Sequence, residues 1–177
     1  MEKRIMATLH MANIAIMVIM LSVAFYTDML WCKIFNKLTM SCMALGIILN
    51  TADTGITGML YSLGGVGLVI LLYLCFAPSA GIGGGDAKLM MAVGALMGVK
   101  FVVAAMLFTA IIGGVLALVV MARHRIMLTT TRTMFTNLYL RTVLRSPVQI
   151  IDGGSGIKFR YSLAIALGSL LALAVKF

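Results

Sequence analysis

Five acidic residues stand in this chain of 177: Glu2, Asp28, Asp53, Asp86 and Asp152. Where most residues are apolar, a carboxylate is costly to place, so each position is informative. Asp28 closes the first long apolar run, and Asp86 opens the fourth, directly after Gly81-Ile82-Gly83-Gly84-Gly85. If the two meet, their chemistry is constrained. Two carboxyl groups about 3 Å apart do not both ionise cheaply, so they share a proton and titrate as a unit. The ionised member takes a proton from water while the protonated member donates to a peptide carbonyl. That is amide hydrolysis by general acid–base catalysis, with no metal or cofactor required. The glycines suit such a place, because backbone without Cβ atoms can come close to an extended substrate. Each signal also has a plainer reading. An aspartate at a helix start caps free N–H groups, and a glycine run makes a flexible turn. Their coincidence, with hardly any other acid present, points to a catalytic pair.

The remaining candidates are weaker. Asp53 lies in Asn50-Thr51-Ala52-Asp53-Thr54-Gly55, expected to be an outside turn, and Asp152 in Ile151-Asp152-Gly153-Gly154 reads as another. His10 and His124 have no partner for a metal or a triad. Gly83 to Gly85 do not form a nucleotide loop, since no Lys-Ser/Thr follows. Cys32, Cys42 and Cys75 are odd in number and scattered, which argues against a disulfide framework and a structural zinc site. The sixteen methionines read as adaptable packing.

Asp28 and Asp86 must be positioned by membrane helices. The chain is 62% hydrophobic and 11% charged, with a mean hydropathy of +1.11. Soluble domains are nearer 45–50% apolar and about 25% charged, so a soluble globular fold is excluded. The expectation is an all-α polytopic membrane protein, one integral domain over residues 1–177 with about six spans: 5–27, 38–50, 56–76, 87–98, 101–121 and 161–175. The third is expected to stop before Pro78. As one helix, the 35 residues from Ala87 to Met121 would run about 52 Å, against a hydrocarbon core of about 30 Å, so a break is expected near Gly98 to Lys100. Ser22-Val23-Ala24 is faintly like a signal-peptidase site, but further apolar runs follow, and the first helix is expected to be retained.

Charge sets the orientation. With the amino terminus outside, ten of the fourteen Lys and Arg fall inside, and Lys3, Arg4, Lys100 and Lys176 fall outside. Asp28 and Asp86 are separated by two crossings and so emerge on the same, cytoplasmic face. The net charge of +9 is spread over loops without a basic stripe of interleaved aromatics, which argues against nucleic acid as a partner. The basic loop 122–158 is expected to be cytoplasmic, lying on anionic headgroups or serving as a substrate-docking arm. A rival class is a small transporter or an assembly scaffold, with the aspartates as an ion relay.

The run Gly83-Gly84-Gly85-Asp86-Ala87-Lys88-Leu89 resembles the G-G-G-D-x-K-L form of the G-x-G-D motif found in type IV prepilin peptidases, which are intramembrane aspartyl proteases. In that family the first aspartate is followed by a segment ending Ile-Pro-Asn. Here Asp28 is followed by Ile34-Phe35-Asn36, with Asn36 in the matching place and the proline absent. The run from Phe159 to Gly168 resembles the family's last helix. The resemblance implies a peptidase of the bacterial inner membrane. It would remove the short basic leader from prepilins or pseudopilins at the cytoplasmic face, with Asp28 and Asp86 as the catalytic pair. Gly83, Gly84 and Gly85 would shape the loop, with Asn36 beside it. Lys88 would bias the pair or anchor in headgroups. Longer members carry a cysteine-rich zinc segment and methylate the new amino terminus. This sequence has no such cysteines and is similar to the short, tight-adherence-type members.

Overall fold

A computed structural model of the chain describes residues 2–31, 33–80, 83–123 and 161–175. The elements among them are all α-helices: α1 (Glu2–Trp31), α2 (Asn36–Thr54), α3 (Ile56–Ala80), α4 (Gly84–Arg123) and α5 (Tyr161–Ala174). Three stretches are long and apolar enough to cross a membrane, namely Thr8–Trp31, Ile56–Cys75 and Gly84–Val119. Ile19, Leu60, Leu71, Leu74 and Ile111 on these helices are 60–66% exposed. An apolar surface of that kind suits hydrocarbon, not water. The chain is an all-helical membrane protein. Length and apolarity qualify three of its described helices as spans, where about six were expected.

The helices overrun the apolar runs that announce them. α1 continues to Trp31, so Asp28 lies in its last turn. α2 continues to Thr54, which makes Asn50 and Asp53 helical; the turn falls on Gly55 alone, at φ 66°, with its N–H on the Thr51 carbonyl. Polar residues do not stop a helix, whereas a residue that adopts positive φ freely does. α3 passes Pro78 and ends two residues later at Ala80, so the proline comes near the helix end without setting it.

The break expected in the long apolar run falls on Gly98, whose φ of 76° and ψ of −174° separate segments 84–97 and 99–123 of α4. The chain reverses there. The Tyr161 ring stands 2.8 Å from where a Gly113 Cβ would be, and the same side chain lies in the electrostatic reach of Asp86. Along an unbroken helix Asp86 and Gly113 would be about 40 Å apart. Only a fold-back puts both beside one tyrosine.

A reversal frees carbonyls that hydrocarbon cannot hydrate. Asn50 Nδ2 of α2 donates to the Ala95 and Leu96 carbonyls at 3.0 and 3.2 Å, and Tyr61 Oη of α3 donates to the Met97 carbonyl at 2.8 Å. Asn50 also bonds Ser62 of α3 and accepts from Asn13 of α1, each at 2.8 Å. Three helices therefore meet the end of the first α4 segment through one half-buried amide.

Small residues let the helices close in. A Cβ on Gly65 of α3 would lie 2.2 Å from the Gly94 carbonyl oxygen, and one on Gly46 of α2 would lie 2.9 Å from Ala95 backbone. Around these crossings Met17 and Met20 of α1, Leu89, Val93 and Leu96 of α4, and Ile165 of α5 form the core. α1 packs on α2 and α5, and α2 packs on α3. The chain divides into two compact units, residues 1–113 with 160–177, and residues 114–159. The first contains both aspartates. From residue 124 on, the basic loop 122–158 lies outside the described residues, as does Asp152.

Candidate active site

Three helix ends converge on the aspartates. Asp28 comes from the last turn of α1, Asp86 from the first turn of α4, and Tyr161 and Ser162 from the start of α5. Asp28 and Asp86 are both half-buried, and their carboxyl groups lie within each other's electrostatic reach. Ser162, almost fully buried, donates its Oγ hydrogen to Asp28 Oδ2 at 2.5 Å. Tyr161 stands in the field of Asp86.

Gly83 closes the first turn of α4. Its carbonyl accepts from the N–H groups of Asp86 at 3.1 Å and Ala87 at 3.2 Å. A Cβ at Gly83 would lie 3.1 Å from Asp86 Oδ2, so the glycine leaves room for the carboxylate at its own helix start. A Cβ at Gly85 would meet Ile34 at 3.4 Å, and one at Gly84 would meet, among the described residues, the Tyr73 hydroxyl at 3.8 Å. The three glycines thus stand in different surroundings, and Gly83 is the one that borders the carboxylate.

Lys88 Nζ donates to Asn36 Oδ1 at 3.0 Å. The lysine, expected either to bias the pair or to reach headgroups, ties the start of α2 to the first turn of α4. Asn36, singled out only by its place after Asp28, is its partner. Two residues with no assigned role in the sequence reading, Ser162 and Tyr161, complete the surroundings. Ser162 is 134 positions from Asp28, and no local pattern joins them.

Two carboxyl groups at one end of a helix bundle, half-buried and without intervening cations among the described contacts, can share a proton and pass it to and from water. Residues 15–118 match the type IV leader peptidase family. The match covers more than half of the chain and includes both aspartates, the glycines, Asn36 and Lys88. The chain belongs to the type IV leader peptidase family, and it is a peptidase of the membrane. No curated protein and no solved structure matches it significantly.

Proposed function

We propose that this protein is the endopeptidase that removes the short basic leader from type IV prepilins or pseudopilins, with Asp28 and Asp86 as its catalytic pair. The observation that carries this reading is that the two carboxyl groups come from separate helix ends into each other's electrostatic reach, beside the glycines that open α4. One carboxylate takes a proton from water as the water oxygen attacks the scissile carbonyl, and the other donates to the carbonyl oxygen. Gly83 keeps Asp86 unobstructed. Lys88 and Asn36 hold α2 against the start of α4, and the exposed Gly83 and Gly84 leave room beside it for a peptide.

Residues 1–177 form one integral domain that crosses the bacterial inner membrane about six times, α4 counting as two crossings through its reversal at Gly98. The positive-inside bias puts the pair at the cytoplasmic face, where a basic leader ahead of an apolar helix would present its cleavage site. The loop 122–158 meets headgroups or a partner on that side. The transporter or scaffold reading gains no support from the interior, where Asn50 and Tyr61 are engaged with the carbonyls freed at Gly98.

The test is to incubate the purified protein in lipid vesicles with a prepilin and follow its mass. Loss of the leader in a single cut just before the apolar helix is expected. Intact substrate across several prepilins and pseudopilins would contradict the proposal.

A further inference from the structure

The dyad is symmetric in composition, but its surroundings are not. Asp28 sits in the last turn of α1, where the outward-facing carbonyls of the helix end disfavour a negative charge. Left to α1 alone, Asp28 would be the poorer place for the anion. Against it stands the start of α5. Ser162, the second residue of that helix, is 1% exposed and gives its only hydrogen to Asp28 Oδ2. A hydroxyl donor stabilises the ionised carboxylate and holds one of its oxygens in a fixed direction. The start of α5 adds the favourable end of that helix's dipole. Asp86 stands in the first turn of α4, where its own helix start attracts negative charge, so helix ends alone lean toward Asp86 as the anion, and the stronger charge-assisted bond from Ser162 must outweigh them.

We propose that Ser162 is a positioning residue that holds Asp28 as the ionised member of the pair, so that Asp28 is the base and Asp86 carries the shared proton. The inference rests on the peptidase reading above. In the step that follows, water gives a proton to the free oxygen of Asp28 as its own oxygen bonds to the scissile carbonyl carbon. Asp86 gives its proton to the carbonyl oxygen as the C=O π bond opens. On collapse the C–N bond breaks, the leaving nitrogen takes the proton from Asp28, and a hydroxyl of the diol returns one to Asp86. Each carboxyl ends as it began. Ser162 keeps its hydrogen throughout and touches no reacting atom.

Among the described residues, the titratable and charged groups at this end of the bundle are Asp86 and Lys88 on α4, Tyr161 on α5, Tyr73 and Cys75 on α3, Lys37 on α2, and Lys33 just ahead of it. Lys88 is held by Asn36. Ser162→Ala changes none of them. Ser169 supplies the control. It is fully buried on the same helix, and its Oγ has no hydrogen-bond partner among the described residues, so Ser169→Ala removes a comparable hydroxyl without touching the pair.

Two readouts test the role. In the first, the pH profile of prepilin cleavage is compared for wild type, Ser162→Ala and Ser169→Ala. The acid limb, which reports protonation of the base, is expected to move up by about 1–2 pH in Ser162→Ala, the worth of a hydrogen bond to a charged group, and to stay in place in Ser169→Ala. In the second, which needs no substrate, a hydrophobic carbodiimide that reacts with protonated carboxyls is applied in an Asp86→Asn background, and modification of Asp28 is followed by mass spectrometry against pH. The midpoint is expected to rise by the same amount when Ser162 is replaced. Ser162→Gly, tolerable in the first turn of α5, repeats both measurements if the alanine variant does not fold. Unmoved midpoints, or equal shifts with Ser169→Ala, would overturn the proposal. Failure of wild type to cut any prepilin would overturn the peptidase reading instead, and the carbodiimide midpoint would still decide whether Ser162 holds Asp28 ionised.

Discussion

At the scale of single residues, the site depends on what borders each carboxylate. Gly83 and Gly84 are adjacent in sequence but unlike in surroundings. A Cβ at Gly83 would press on Asp86 Oδ2 at 3.1 Å, whereas one at Gly84 would make an ordinary 3.8 Å contact with the Tyr73 hydroxyl. Gly83→Ala is therefore expected to lower kcat for leader removal by about 10–100-fold by displacing the carboxylate, with folding intact. Gly84→Ala is expected to stay within a few-fold of wild type. Equal losses in both, measured as single-turnover rates, would mean that Gly83 makes no special room. The aspartates, the glycines and the Lys88–Asn36 pair are legible in sequence because charge is scarce and their spacing is short. Ser162 is not. Its relation to Asp28 exists only once α1 and α5 pack together, and a serine among apolar helix residues reads as a small packing group.

At the scale of elements, the reversal at Gly98 delivers the first segment of α4 to the site. Two conditions meet at that glycine: a positive φ of 76°, and a Tyr61 ring atom 1.9 Å from any Cβ that might be added. Gly98→Ala is expected to cost about 2–5 kcal/mol, combining left-handed strain with overpacking. Tyr61→Phe removes one bond to the Met97 carbonyl and is expected to cost about 0.6–1.7 kcal/mol, the range found for such bonds within membranes. Unfolding in mixed detergent micelles measures both. A Gly98→Ala protein as stable as wild type would contradict the reversal. The break itself is legible, because 35 apolar residues exceed the bilayer if they run as one helix. The role of Asn50 is not. Its neighbours Thr51, Asp53 and Gly55 read as a turn, yet α2 continues to Thr54 because Asn50 is satisfied by carbonyls contributed from α4. Pro78 misleads too: the third span is expected to stop at residue 76, and α3 runs four residues further, to Ala80.

At the scale of the whole molecule, apolar outward faces and sparse charge put the chain in a membrane, and the distribution of Lys and Arg gives it a direction. The direction is testable without any substrate. In a background lacking the natural cysteines, Thr54→Cys is expected to react with a membrane-impermeant maleimide added outside spheroplasts, and Lys33→Cys only after the membrane is opened. The opposite pattern would place the aspartates on the outer face and remove the reason for a cytoplasmic cut. All-α class and membrane residence follow from composition. The convergence of three helix ends does not, since it depends on close crossings such as Gly65 on Gly94, where backbone geometry decides the contact.

The central claim is that Asp28 and Asp86 act as one unit, and single-turnover leader cleavage by Asp28→Asn, Asp86→Asn and the double variant tests it most directly. Each single change is expected to lower the rate by about 10²–10⁴-fold while the protein stays folded, and the double variant is expected to lose hardly more than either alone, as groups that share one proton do. Cleavage near the wild-type rate by either single variant, or losses that multiply in the double, would contradict it.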